Sequence, residues 1–162
     1  MPLINTGKCT DRRTLRFSTI ADLRADLDAI ERAERAGTLR RIGNWTVGQT
    51  CGHLATWAEF LYTGVPISPP WFIRIILKRR KHRYLNEGLP AGVHIPRVPN
   101  GTLGTEVMTL DAGLARYRDI LARVEREPPT KDSPLFGPLT HEEGIKSQLR
   151  HAELHLSFLH PQ

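Results

Sequence analysis

Cysteine is scarce in this chain: Cys9 and Cys51 are the only two among 162 residues. Two thiols cannot build the disulfide framework of a small secreted domain, and they suit a reducing cytoplasm. Long hydrophobic runs are missing as well. The longest apolar stretch, Trp71-Phe72-Ile73 with Ile75-Ile76-Leu77, is broken by Arg74, and the opening residues MPLINTGKCTDRRTLRF hold no apolar signal-peptide core and no small-residue cleavage site. We therefore expect neither a membrane span nor a signal peptide, and no membrane partner. Period-two alternation of apolar and polar residues is absent too, so the core can be explained without strands.

What is present fits one globular domain over residues 1–162. The length lies in the single-domain range, and 40% hydrophobic with 25% charged residues is well clear of a disordered composition. Four segments carry apolar residues at helical spacing. Ile20, Leu23, Leu27 and Ile30 lie between an N-cap at Ser18 or Thr19 and a stop at Gly37, which predicts a helix over 18–36. Thr46-Val47-Gly48-Gln49 has capping-box form and opens a second helix over 46–63, with Val47, Leu54, Trp57, Ala58 and Leu61 on one side and Gly64 as its stop. A third, over 105–126, has Val107, Leu110, Leu114, Tyr117, Leu121 and Val124 inward and ends before Pro128-Pro129; a fourth, over 141–159, begins at the capping box Thr140-His141-Glu142-Glu143.

Between the second and third helices, residues 68–99 read as a lid-like excursion. Pro69-Pro70 introduces a short apolar and basic helix over 71–82, and prolines and glycines dominate from Leu89-Pro90-Ala91-Gly92 to Pro99. Its Trp71, Phe72, Ile75 and Ile76 need burial, which would place the excursion over one end of the helices. Four long amphipathic helices with outside connections predict an all-α, four-helix bundle with a short extra helix in the excursion.

Lys and Arg outnumber Asp and Glu by 23 to 17, and Lys78-Arg79-Arg80-Lys81-His82-Arg83 gathers much of the excess. Such a run is ordinarily a solvated face; the competing use is contact with an acidic partner such as nucleic acid.

The histidines carry the most specific signal. His151 and His155 are four apart on the fourth helix, on one face, and border the stripe of Leu149, Ala152 and Leu156, so both imidazoles can reach one ion. On the second helix His53 borders the stripe of Leu54, Trp57 and Leu61. Taken singly, each is also compatible with a hydrogen-bonded core histidine. Together they offer three imidazoles to a divalent ion such as Zn²⁺, Ni²⁺ or Fe²⁺, with a position left open for chemistry. His-Ala-Glu-Leu-His is not the zincin motif: Glu153 is two residues past His151 and points away from it, so no general base is assigned. Gln49 is divided between the cap and a place beside the ion, Cys51 points off the His53 face into packing, and His141 and His160 read as surface residues. His82 and His94 reach the site only if the excursion folds over it.

Gly48-Gln49-Thr50-Cys51-Gly52-His53-Leu54, followed about a hundred residues later by Arg150-His151-Ala152-Glu153-Leu154-His155, resembles the DinB superfamily. Gly43-Asn44-Trp45-Thr46-Val47-Gly48-Gln49, Gly88-Leu89-Pro90-Ala91-Gly92 and Phe136-Gly137-Pro138-Leu139-Thr140 resemble, more narrowly, an uncharacterised bacterial DinB-like family. The resemblance implies a four-helix bundle, often dimeric, whose metal is held by one histidine of the second helix and the paired histidines of the last: here His53, His151 and His155. It transfers no single reaction, since the superfamily includes thiol-dependent transferases and isomerases, presumed hydrolases and members without assigned activity. The leading expectation is a cytoplasmic, metal-dependent enzyme acting on a small molecule, a thiol S-transferase or a hydrolase, with a low-molecular-weight thiol as co-substrate in the first version. Trp45, Trp57, Trp71 and Phe72 are candidates to line its pocket. The alternative is a non-catalytic binding protein that engages an acidic partner such as nucleic acid through residues 78–83.

Overall fold

The computed structural model describes residues 4–66, 71–95, 98, 101–133 and 135–162. The protein is mainly helical. Among the described residues the elements run α1 (Ile20–Ala36), β1 (Arg40–Arg41), α2 (Val47–Thr63), α3 (Trp71–Arg79), α4 (Lys81–Glu87), α5 (Leu110–Arg126), α6 (His141–Leu156) and β2 (Leu159–His160), after one 3₁₀ turn at Thr6–Lys8.

The four long helices start where threonine can cap them. Thr19, Thr46 and Thr140 each accept the N3 backbone N–H, and the N3 side chains of Asp22, Gln49 and Glu143 reach back to complete a capping box. Thr109 caps α5 through the N–H of Ala112. Helix α5 therefore begins at Leu110 rather than at 105: Thr109 takes the extended conformation of a cap, and residues 104–108 before it have no regular structure. Val107, expected inside, is 89% exposed. At the other end α6 stops at Leu156 rather than 159, because the chain turns to pair Leu159 and His160 antiparallel with Arg41 and Arg40. The expected helix over 71–82 divides into α3 and α4, breaking at Arg80.

Helices α1, α2, α5 and α6 share one apolar core. Leu23, Leu27 and Ile30 of α1, Leu54 and Ala58 of α2, Tyr117 and Leu121 of α5, and Leu149 and Leu156 of α6 are all buried in it. Helices α2 and α5 approach most closely, and glycine makes that possible. A Cβ on Gly48 would lie 2.2 Å from the Met108 carbonyl oxygen, and one on Gly113 would lie 2.4 Å from that of Gly48. At such separations backbone meets backbone, and only glycine fits.

Helix α6 is fixed by a buried ion pair. Glu153 receives the Phe17 N–H at 2.6 Å and pairs with Arg150 at 3.0 Å, while Arg150 also donates to the Phe17 carbonyl. The extended segment before α1 is thus tied to the face of α6 that turns away from its histidines. The two charges offset each other, as a buried ion pair requires, while the Arg150 Nε has no hydrogen-bond partner among the described residues.

The exposed residues of the excursion overturn the expected packing. Trp71, Phe72, Ile75 and Ile76 are 73%, 51%, 43% and 51% exposed. The predicted Pro69-Pro70 opening and Pro99 lie outside the described residues. No helix among the described residues is long and apolar enough to cross a membrane.

The Gly113 contact yields a test. Gly113→Ala must push α5 away from α2 or distort both helices, and should lower unfolding free energy by about 1–3 kcal/mol in urea denaturation. An unchanged midpoint and slope would contradict the close approach.

Candidate metal centre

Helix α2 brings His53 to the second turn after its cap, and α6 brings His151 and His155 to its last two turns. The two helices pass each other so that these side chains converge: one nitrogen from each of the three imidazoles lies within 4.8 Å of the others. The rings meet edge to face, with centroids 5.0 Å apart for His53 and His151, 4.5 Å for His53 and His155, and 4.7 Å for His151 and His155.

His53 has the best-defined orientation. Its Nδ1–H donates to the Leu103 carbonyl at 2.8 Å, since a carbonyl can only accept. In the neutral ring this fixes the lone pair on Nε2, which faces Nε2 of His151 at 3.2 Å. Two imidazole nitrogens bonded to one tetrahedral ion at about 2.0–2.1 Å would be separated by about 3.3 Å, so this pair already has suitable spacing. Across a single ion the span cannot exceed about 4.2 Å, so the full set requires a modest ring movement from its 4.8 Å limit. Donor type, tautomer and spacing fit a divalent ion.

Two indoles flank the imidazoles. Trp45, immediately before the α2 cap, stacks on His155 with centroids 5.4 Å apart and an interplanar angle of 18°, and also touches His53 at 4.8 Å. Trp57, one turn beyond His53, meets His151 edge-on at 5.9 Å. His53 is buried, whereas His151 and His155 keep some surface, so any approach to the cluster comes from the α6 side. Among the described residues no carboxylate or thiol joins it.

These surroundings keep the rings neutral. Burial lowers the pKa of His53 from 6.5 to about 4, opposed by the Leu103 carbonyl and the more distant Glu106. His151 and His155 are driven well below the ordinary histidine value, first by burial and then by the neighbouring imidazoles. Neutral imidazole is the form that binds metal.

The remaining sequence candidates fall elsewhere. Gln49 closes the α2 cap by accepting the Thr46 N–H at 3.2 Å. Cys51 is fully buried in the core, where desolvation pushes its thiol up to about 12. Glu153 belongs to the ion pair with Arg150. His141 donates to the Val124 carbonyl at 2.8 Å, and His160 accepts from Arg40 at 3.0 Å; both are partly buried rather than free on the surface. His82 and His94 are exposed and outside the cluster. Trp71 and Phe72 contact each other on α3, not the imidazoles. Sequence reasoning missed the Leu103 carbonyl, and it offered Trp45 as a pocket-lining aromatic without foreseeing its stacking on His155. The first is a backbone group with no residue-type signature; the second had one signal, an aromatic directly before a helix cap.

A protein-family model described as "Protein of unknown function (DUF1569)" matches residues 9–162. No curated protein and no solved structure matches the chain.

The depressed histidine pKa values imply an acid-sensitive metal-free fold. The unfolded chain takes up protons near pH 6.5, whereas folded His53 does so only near 4, so stability is full above about 6.5 and declines as pH falls toward 4. His53 alone should remove about 2 kcal/mol between pH 7.5 and 5.0, given about 1.4 kcal/mol per pKa unit. Urea denaturation in chelator at the two pH values measures this. Equal stability would contradict a neutral buried cluster.

Proposed function

The chain belongs to the DUF1569 family, whose description assigns no activity, and we propose that it is a DinB-like four-helix bundle that holds one divalent ion on His53, His151 and His155. The observation carrying this reading is the convergence of three neutral imidazoles from two helices, with ligand nitrogens within 4.8 Å of one another. The DinB-like sequence motifs contain the same three residues, and the shared core of α1, α2, α5 and α6 supports the bundle. Zn²⁺, Ni²⁺ and Fe²⁺ all accept such a donor set.

The ion serves a metal-dependent reaction on a small molecule in a reducing cytoplasm, thiol S-transfer first and hydrolysis second. When bound, a divalent ion supplies Lewis acidity, which polarises a substrate oxygen or favours a thiolate near neutral pH. The chain's own groups do the rest. The Leu103 carbonyl holds the His53 tautomer, Trp45 keeps the His155 ring in place, and Trp57 packs its ring against the edge of His151. Three histidine ligands leave room for a substrate atom on the α6 side, where His151 and His155 retain exposure.

The test is metal content of tag-free protein by mass spectrometry. The parent should carry one divalent ion per chain, and His53→Ala, His151→Ala and His155→Ala should each lose it, because two imidazoles bind too weakly to survive purification. His141→Ala and His160→Ala should retain it. Stoichiometric metal in both His53→Ala and His155→Ala would place the site elsewhere and remove the basis for the reaction.

A further inference from the structure

Helix α3 presents the largest unexplained feature of the surface. At about 100° per residue, Trp71, Phe72, Ile75, Ile76 and Arg79 fall in one arc of about 140°, and all five side chains are exposed. Arg74 and Lys78 lie along one flank of this arc and Arg80 at the other. Leu77, on the opposite side, is partly buried. Trp71 and Ile75 edge a surface groove whose other side is Asp132, Leu135, Gly137 and Pro138, and all four large apolar side chains remain substantially exposed.

Charge is distributed just as selectively. Residues 71–83 contain no Asp or Glu. Lys81 is occupied by Glu143 at 2.7 Å and the Pro138 carbonyl at 3.1 Å, and Arg83 by Glu87 at 2.7 Å. Arg74, Lys78, Arg79 and Arg80 have no ion-pair partner among the described residues. Asp132 lines the groove beside α3 with Trp71, Arg74, Ile75 and Lys78. Arg74, Lys78 and Arg79 thus share α3 with the exposed apolar residues, and Arg80 follows directly after it.

We propose that α3 is an interfacial anchor that lays Trp71, Phe72, Ile75 and Ile76 into the headgroup boundary of an anionic lipid surface, with Arg74, Lys78, Arg79 and Arg80 against the lipid phosphates. A short helix with an aromatic and aliphatic face edged by Arg and Lys has the composition of a segment lying in a membrane interface, and anionic lipid is the surface complementary to four unpaired cations. Nucleic acid would satisfy the cations and leave four large apolar side chains in water. This revises the expectation of no membrane partner, which rested on the absence of a spanning segment; the association is peripheral. It is independent of the metal reading.

Vesicle flotation tests it, using the full chain with vesicles of phosphatidylcholine alone or with phosphatidylglycerol. Binding should require phosphatidylglycerol and be reversed by 0.5 M salt. Trp71→Ser/Phe72→Ser and Arg74→Gln/Lys78→Gln/Arg79→Gln should each weaken it, the triple substitution about a hundredfold at the usual contribution per cation. Circular dichroism and metal content, which these exposed substitutions should leave unchanged, confirm that the variants remain folded. Absence of binding to anionic vesicles would overturn the proposal. So would full binding by Trp71→Ser/Phe72→Ser, a lipid-free dimer in sedimentation that this double substitution dissolves, or stronger salt-sensitive binding of a DNA or RNA oligomer than of the vesicles.

Discussion

Three imidazoles packed against one another must remain uncharged, and the bond from His53 Nδ1 to the Leu103 carbonyl organises that condition. With its proton committed to the carbonyl, His53 presents a lone pair inward and cannot donate to His151. The cluster becomes a largely buried set of neutral rings in which His53 is an acceptor, open to a proton donated by His151 or to a metal ion. Such a set is poor at binding protons because burial opposes the charge, but well suited to a cation that replaces the lost solvation with coordinate bonds. The two features have one cause.

Much of the surrounding structure keeps these side chains in register. The α2 cap places His53 two turns into its helix, and the same cap follows the residue that stacks on His155. Arg150 and Glu153 fix the opposite face of α6 to the segment before α1, so the rotation of His151 and His155 is set by a buried ion pair rather than by the imidazoles themselves. Gly48 and Gly113 let α5 lie close to α2, and the chain preceding α5 runs along α2 with Leu103 beside His53. A substitution in any of these places would reach the cluster through the backbone.

The sequence was informative where one residue type has one dominant use. Thr46 and Thr140, followed three positions later by Gln49 and Glu143, marked helix starts, Ser18 or Thr19 was the cap read for the first helix and Thr19 fills it, and Gly37 marked a stop. Helical spacing brought His53, His151 and His155 to the core border, where the structure has them meet. Periodicity failed where local chemistry overrode it. Val107 continued the apolar stripe of α5, but Thr109 captured the helix start and left it outside. Trp71, Phe72, Ile75 and Ile76 looked like residues in search of a core because apolarity alone does not say what covers them. Leu103 acts through its carbonyl, which every residue possesses, and no pattern of side chains could have singled it out.

The account depends on one ion bridging α2 and α6, and anomalous diffraction from crystals of tag-free protein, recorded on both sides of the zinc absorption edge after zinc loading, observes it directly. It predicts a single strong peak about 2.0–2.1 Å from Nε2 of His53 and from one nitrogen each of His151 and His155, with the His53 Nδ1 bond to Leu103 retained. A peak bound by other residues, or three imidazoles hydrogen-bonded to one another with no ion between them after loading, would contradict it.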